Sequence, residues 1–179
     1  MKFELNEERN GYTLVSSDDV PTVDIPREYD GKPVTRIENG AFAHCTSLTS
    51  ITIPNSVMYI SRGAFRDCAS LTSVTIGNGV TSISSYAFYG CASLKSVYYD
   101  GDKASWDKIT FGNKWANPLC YGATLHTMKV KGEKGKYERL TPTDAVELIN
   151  EVFNENGDKT NLLRYVLRLK ELEDERFNI

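Results

Sequence analysis

Long apolar runs and a surplus of one charge sign are both absent from this chain of 179 residues. No stretch approaches the roughly 18 consecutive apolar residues that a membrane-spanning helix needs. Residues 1–10 carry charges in place of the apolar core of a signal peptide, so we expect a cytoplasmic protein. The 21 Lys and Arg residues against 24 Asp and Glu residues give a formal net charge of -3, which disfavours nucleic acid and membrane as partners.

Cysteine and histidine are also scarce, with four and two residues respectively. Four cysteines are too few for a disulfide scaffold in a chain of this length. Zinc ligands normally come in pairs about two to four residues apart. Cys45, Cys68 and Cys91 instead lie 23 residues apart, so we interpret them as a buried thiol ladder. His44 and His126 have no convincing catalytic partner in the sequence.

The sequence also lacks the motifs of nucleotide and calcium chemistry. It has no Gly-x-Gly-x-x-Gly segment after a strand and no Gly-Lys-Ser phosphate loop. Asp100, Asp102 and Asp107 do not follow the order of a calcium loop, and we interpret them as solvated loop acids. A reactive thiol at Cys120 is a weaker alternative. We therefore expect no enzyme, no metal and no cofactor.

A repeat of 23 residues dominates what is present. Phe42, Phe65 and Phe88 keep this spacing, and each follows an alanine. Four further columns share it: Cys45, Cys68 and Cys91; Leu48, Leu71 and Leu94; Ile51, Val74 and Val97; Ile53, Ile76 and Tyr99. These columns define repeats 41–63, 64–86 and 87–109, with an elongated first repeat (11–40) and an exit segment (110–128).

Each repeat predicts one coil of a solenoid. Its Leu-x-x-Ile-x-Ile segment alternates apolar and polar residues, which is typical of a short strand. Pro54-Asn55 and Gly77-Asn78-Gly79 end the strand, Val57-x-x-Ile60 forms a second extended piece, and Ala-Phe-x-x-Cys reverses the chain in a helical turn. Like residues should stack about 4.8 Å apart, because no single coil can bury its own apolar face. Asp30-Gly31 predicts a tight turn in the first repeat.

These columns resemble the BspA-like class of leucine-rich repeats. The resemblance covers about residues 10–127, because GYTL (11–14), DGKPVTRI (30–37), SWDKITFGN (105–113) and ATLHT (123–127) also look like that family's first and last segments. It implies a curved solenoid with a strand-lined concave face that binds proteins, commonly at a bacterial cell surface. A surface or secreted location is therefore the alternative to the cytoplasm.

The C-terminal residues have no repeat character. Residues 129–140 predict a basic connector that includes KVKGEKGKYER. Helix start and stop signals at Thr141-Pro142 and Asn156-Gly157, followed by a second apolar stripe, predict a helical hairpin over 141–179. It caps the solenoid, forms a dimer or binds a partner, and we keep these three roles open. The expected fold class is α/β, a leucine-rich repeat solenoid (1–128) of short stacked parallel strands with helical turns, followed by this α-helical hairpin.

The candidate partner-binding surface is the expected concave face. Its residues occupy the strand positions that point away from the stacked core: Thr22, Asp24, Ser50, Thr52, Ser73, Thr75, Ser96 and Tyr98. Most are small and carry a hydroxyl group, and only Tyr98 is of a type that dominates protein interfaces. Candidate anchors outside the sheet are Tyr59, Arg62, Tyr86, Tyr89 and Trp106, although aromatic side chains in turns pack against the protein as often as they recognise a partner.

We hypothesise a non-catalytic protein-interaction module, an intracellular adaptor or inhibitor. It binds a partner protein of unknown identity through the solenoid, the C-terminal helices or both. A structural homodimer built through the hairpin is the alternative. Nucleic-acid binding through residues 129–139 is a weaker one, which rests on basic residues interleaved with Tyr137.

Overall fold

The computed structural model describes residues 1–127 of the chain. The predicted basic connector and helical hairpin lie outside the described residues. In chain order the elements are β1 (Lys2–Leu5), β2 (Tyr12–Ser16), β3 (Thr22–Asp24), β4 (Glu28–Tyr29), β5 (Lys32–Ile37), β6 (Ser50–Ile53), β7 (Tyr59–Ile60), β8 (Ser73–Ile76), β9 (Ser82–Ile83), β10 (Ser96–Tyr99), α1 (Lys103–Trp106), β11 (Thr110–Phe111), a 3-10 helix (Pro118–Tyr121) and β12 (Thr124–Thr127).

Successive coils contribute strands to two sheets. The first sheet has the order β1-β2-β5-β7-β9-β11, with β4 paired to β5, and the second has the order β3-β6-β8-β10-β12. The second sheet is parallel throughout, and the first is parallel from β2 to β11. Equivalent residues lie opposite each other on neighbouring strands. Ile51 lies opposite Val74, and Val74 lies opposite Val97. The predicted stacking of short parallel strands is therefore confirmed.

Two hairpins modify the N-terminal end of the first sheet. β1 pairs antiparallel with β2 and extends the sheet by one strand that the charged sequence of residues 1–10 did not predict. β4 and β5 form a second hairpin through Asp30 and Gly31, with φ angles of 49° and 69°. This turn confirms the one predicted at Asp30-Gly31.

Identical aromatic side chains stack in the core. The ring centroids of Phe42 and Phe65 lie 5.1 Å apart with an interplanar angle of 19°, and Phe65 and Phe88 repeat this geometry. All three side chains are fully buried. Each ring is shielded by the coils above and below it, so burial in this fold is a property of the stack and not of one repeat.

The predicted thiol ladder is also confirmed. Cys45, Cys68 and Cys91 are free and buried. The Cys68 Sγ donates to the Phe42 carbonyl oxygen at 3.0 Å, and the Cys91 Sγ donates to the Phe65 carbonyl oxygen at 3.1 Å. Burial raises the pKa of the Cys45 thiol to about 11, so this thiol stays protonated at neutral pH.

The helical turn predicted for Ala-Phe-x-x-Cys is wrong. The Phe42 N–H donates to the carbonyl oxygen of Ala64 at 2.8 Å, and the His44 N–H donates to that of Arg66 at 2.8 Å. These bonds join one coil to the next, and the left-handed φ angle of 63° at His44 interrupts the segment before Cys45. The Ala43 N–H bonds three residues back, to Gly40, so the chain reverses through tight turns that alternate with bonds between coils.

Each of these turns begins and ends at a residue with a left-handed backbone conformation. The φ angles are 64°, 61° and 63° at the first position, held by Gly40, Gly63 and Tyr86, and 63°, 59° and 80° at the second position, held by His44, Asp67 and Gly90. A helix would need right-handed angles at both positions. The backbone therefore leaves the helical region on both sides of the turn.

The α-helix of the described residues is α1, which lies after β10. Its N-cap is Asp102, whose carboxylate accepts a hydrogen bond from the Ser105 N–H at 2.7 Å. Hydrogen bonds from Ser105 lower the pKa of Asp102, because they favour the charged carboxylate. This acid, interpreted from the sequence as a solvated loop residue, therefore has a capping role.

Candidate functional site

The eight residues predicted for the concave face lie on four neighbouring strands of the second sheet. We call them the strand face. Each of its two rows is in register from strand to strand: Thr22, Ser50, Ser73 and Ser96 in one, Asp24, Thr52, Thr75 and Tyr98 in the other. The repeat columns therefore place these side chains as the sequence predicts. What the strand face contacts stays a prediction.

Exposure along the strand face falls from β3 to β10. Thr22 and Asp24 are exposed, and Thr52 and Thr75 are half-buried. Tyr98 is only 8% exposed, and its ring stacks on the His126 imidazole with the centroids 4.7 Å apart and an interplanar angle of 18°. The accessible part of the strand face therefore lies towards its N-terminal strands, away from the single large side chain that the sequence favoured as an anchor.

Sequence reasoning placed His126 in the exit segment but did not add it to this surface. β12 pairs with β10 so that Leu125 lies opposite Val97 and His126 lies opposite Tyr98. Thr124 and His126 therefore extend the two rows by one strand. The 23-residue period does not reveal this pairing, because Leu125 lies 28 residues after Val97.

Four of the five anchors predicted outside the sheet are exposed on neighbouring coils. Tyr59, Tyr86 and Tyr89 are 41%, 40% and 38% exposed, and Arg62 is also exposed. Trp106 is the exception, and its burial supports the packing alternative over a role as an anchor. It is 3% exposed, because the end of α1 packs its indole edge-on against Tyr99 at 5.3 Å between ring centroids.

Three arginine–tyrosine pairs repeat along these coils. The guanidinium carbon lies over the ring of a tyrosine in the next coil, at distances to the ring centroid of 5.0 Å for Arg36 and Tyr59, 5.7 Å for Arg62 and Tyr86, and 5.8 Å for Arg66 and Tyr89. We call these six residues the Arg–Tyr strip. Attraction between a cation and the face of an aromatic ring holds each guanidinium flat against its partner.

The aromatic surface continues beyond the Arg–Tyr strip. Tyr86 and Tyr89 meet edge-on with their centroids 6.1 Å apart, and Tyr89 meets Trp115 edge-on at 5.6 Å. The Lys114 Nζ lies 4.3 Å from the centroid of the Trp115 ring. Sequence reasoning named the tyrosines one by one and missed the pairing, although Arg36 and Tyr59 occupy the same column once the repeats are aligned.

The remaining candidates for chemistry are metal-ligating side chains and the Cys120 thiol. Within residues 1–127 no three His, Cys, Asp or Glu side chains are grouped so that they could hold a metal ion. Burial raises the pKa of the Cys120 thiol, which opposes the thiolate form that a reactive cysteine needs. No helix in this part of the chain is long and apolar enough to cross a bilayer.

Comparison with protein families identifies the repeats. The family model for the BspA-type leucine-rich repeat region matches residues 17–118 in six copies. The chain therefore belongs to this family, as the resemblance of its columns implied. Leucine-rich repeat proteins are generally non-catalytic modules for protein interaction.

Two solved structures share the fold. A leucine-rich repeat protein from Bacteroides capillosus is 28% identical with a TM-score of 0.56, and the match covers 71% of this chain and 93% of that chain. A leucine-rich repeat protein from T. pallidum is 27% identical with a TM-score of 0.53, and the match covers 57% of this chain and 52%, about half, of that chain. Comparison with curated proteins found no match.

Proposed function

We propose that this chain is a non-catalytic protein-interaction module, an adaptor or an inhibitor, that binds a partner protein through the strand face. The observation that carries the proposal is the unbroken register of two rows of side chains across four strands. Because the strand ladder fixes the backbone, this surface loses little backbone conformational freedom on binding. Membership of a family that generally mediates protein interactions supports the same function.

The composition of the strand face favours a polar partner surface. The hydroxyl groups of Thr22, Ser50, Thr52 and Thr75 both donate and accept hydrogen bonds, and Asp24 adds an acceptor at the exposed end. Rows of small side chains on a rigid sheet are suited to a broad contact with many modest interactions. We therefore expect affinity to depend on steric access to the middle of the strand face more than on one anchor residue.

The homodimer and nucleic-acid alternatives rest on residues outside the described part of the chain. The first requires 141–179 and the second requires 129–139, and both stay predictions. The described residues favour neither of them.

Arginine substitutions in the middle of the strand face should abolish partner capture. The full-length chain is immobilised, incubated with lysate of the source cells, and its retained proteins are quantified by mass spectrometry. The double variant Thr52→Arg/Thr75→Arg places two long charged side chains on adjacent strands, β6 and β8, which pair at these positions. We expect it to retain about one tenth or less of a partner that the natural chain captures, because unpaired charges and steric clash oppose docking.

The matched control is the double variant Asn78→Arg/Ser93→Arg. Both residues are exposed in turns, and the Asn78 contact to Asn55 Oδ1 uses a backbone N–H that the substitution keeps. This variant adds the same charge and should capture the partner normally, with thermal unfolding showing that both variants fold. Equal capture by all three chains, or equal loss from both variants, would contradict the proposal.

A further inference from the structure

The three arginines of the Arg–Tyr strip differ in one respect. The Nε of Arg66 donates to Asp67 Oδ2 at 3.1 Å while its guanidinium lies over Tyr89. Arg36 and Arg62 are stacked in the same way, but neither has an ion pair among residues 1–127. The Arg66 site therefore shows how a carboxylate fits beside a guanidinium that is stacked on tyrosine. Arg36 and Arg62 provide two further stacked guanidinium groups.

The local charge of this surface is opposite to that of the chain. Arg36, Arg62, Arg66 and Lys114 are all exposed. Among residues 1–127, the one carboxylate that forms an ion pair with any of the four is that of Asp67. Asp67 Oδ2 also lies 3.6 Å from His44 Nδ1, so even this carboxylate faces a second potential cation. A cationic and aromatic surface on a chain of net charge -3 is complementary to carboxylates.

We propose that the Arg–Tyr strip binds an extended acidic segment of a partner protein, whose carboxylates pair with Arg36 and Arg62. The inference rests on the proposed function, because both require that the chain binds a protein. The binding surface is different: the Arg–Tyr strip and not the strand face. A planar guanidinium group donates two parallel hydrogen bonds to a carboxylate, and stacking on tyrosine fixes its orientation before binding. The apolar parts of the segment would lie against the exposed rings of Tyr59, Tyr86 and Tyr89.

The dimensions fit a short segment. From the coil of Arg36 to the coil of Lys114 the surface crosses three coil-to-coil steps, or roughly 14 Å at the usual spacing of strands. An extended chain rises about 3.3 Å per residue, so at least four or five residues are needed, and more because Arg62 lies three residues beyond Tyr59, the residue opposite Arg36. Two carboxylates within such a segment are enough to reach both arginines.

Protein carboxylates fit this surface better than nucleic-acid phosphates. The carboxylate already present on Arg66 belongs to an aspartate, and the negative chain as a whole repels a polyphosphate. Non-specific nucleic-acid binding relies on many phosphate contacts, and this surface offers four cations.

The test is fluorescence anisotropy of a fluorescein-labelled octaglutamate peptide with the full-length chain. We expect the double variant Arg36→Gln/Arg62→Gln to weaken binding by about tenfold or more, since it removes both charged donors. Arg36→Lys/Arg62→Lys keeps the charge but loses the planar donors, and should weaken binding by about threefold. Lys95→Gln/Lys108→Gln removes the same charge from two exposed lysines elsewhere and should stay within about twofold of the natural chain.

Three results would overturn the inference: octaglutamate binding no tighter than octaserine, equal weakening by the lysine control, or a labelled thymidine octanucleotide binding more tightly than octaglutamate. The strand-face variant Thr52→Arg/Thr75→Arg separates this inference from the proposed function. It should bind octaglutamate as the natural chain does. If that variant loses partner capture and no chain binds octaglutamate, the proposed function stands and the role of the Arg–Tyr strip is rejected.

Discussion

Replacing Gly79 by alanine should lower the free energy of unfolding by about 3 kcal/mol, at the upper end of the cost of overpacking. A Cβ atom at this position would lie 1.9 Å from the carbonyl oxygen of Asn55 and 2.9 Å from its carbonyl carbon. Both atoms belong to the backbone of the preceding coil, so no side-chain rotation relieves the clash. The coils must move apart, and the ladders on both sides of Gly79 resist that movement. Urea unfolding followed by circular dichroism measures the change.

Gly31→Ala is the control for this effect. Gly31 has a φ angle of 69°, and a Cβ atom there would meet nothing within 4 Å. Alanine at Gly31 is strained by the left-handed backbone alone, which should cost about 1 kcal/mol. Similar losses from the two substitutions would contradict the close approach of coils at Gly79.

Truncating Phe65 to alanine should cost about 3–5 kcal/mol, the usual range for a buried phenylalanine. Its ring is fully buried and has a stacked neighbour 5.1 Å away on each side, in Phe42 and Phe88. The cavity would therefore open in the middle of the stack, where two coils lose their contact at once. Besides the change in unfolding free energy, we expect faster amide hydrogen exchange in the repeats on both sides.

Phe3→Ala provides the comparison for a ring at the end of the fold. Phe3 is half-buried in β1 and stacks on Tyr29 with the centroids 4.5 Å apart. Its truncation should cost about 1 kcal/mol, because less apolar surface returns to water. If Phe65→Ala cost no more than Phe3→Ala, the stacked core would not be the main source of stability.

The repeat columns predict most of this fold because one spacing fixes several contacts at once. A period of 23 residues in Phe42, Phe65 and Phe88 requires that they stack, and the alternation after Leu48 and Leu71 requires strands. The same columns place the strand face, since each polar strand position follows from its apolar neighbours. The observed pairing of β6, β8 and β10 agrees with the register that the columns predict.

Contacts between coils are harder to predict because they join residues that are distant in sequence. The turn at Phe42 was interpreted as helical, but its N–H bonds to Ala64, and no local pattern signals that choice. The sequence predicts only that Gly79 lies in a turn. The structure shows that a side chain there would clash with the backbone of Asn55 in the previous coil. The stacking of Arg62 on Tyr86 depends on the same register between coils.

The end of the repeats was the least predictable part. The third repeat departs from the columns after Asp100, and there the chain forms α1. Trp106 lies 23 residues after Ile83 and 46 after Ile60, so the repeat column alone indicates a buried side chain. In the sheet, however, Phe111 is the residue opposite Ile83. The helix packs the Trp106 indole against Tyr99 and, at 5.8 Å between centroids, Phe111.

Site-specific photo-crosslinking tests the central claim, protein binding through the strand face, most directly. Benzoylphenylalanine is introduced at Thr75 on β8 in one chain and at Asn78 in the following turn in another, and source cells that express each chain are irradiated. We predict a covalent adduct with one partner protein from position 75 and little or none from position 78. No adduct from position 75, or equal yields from the two positions, would contradict the claim.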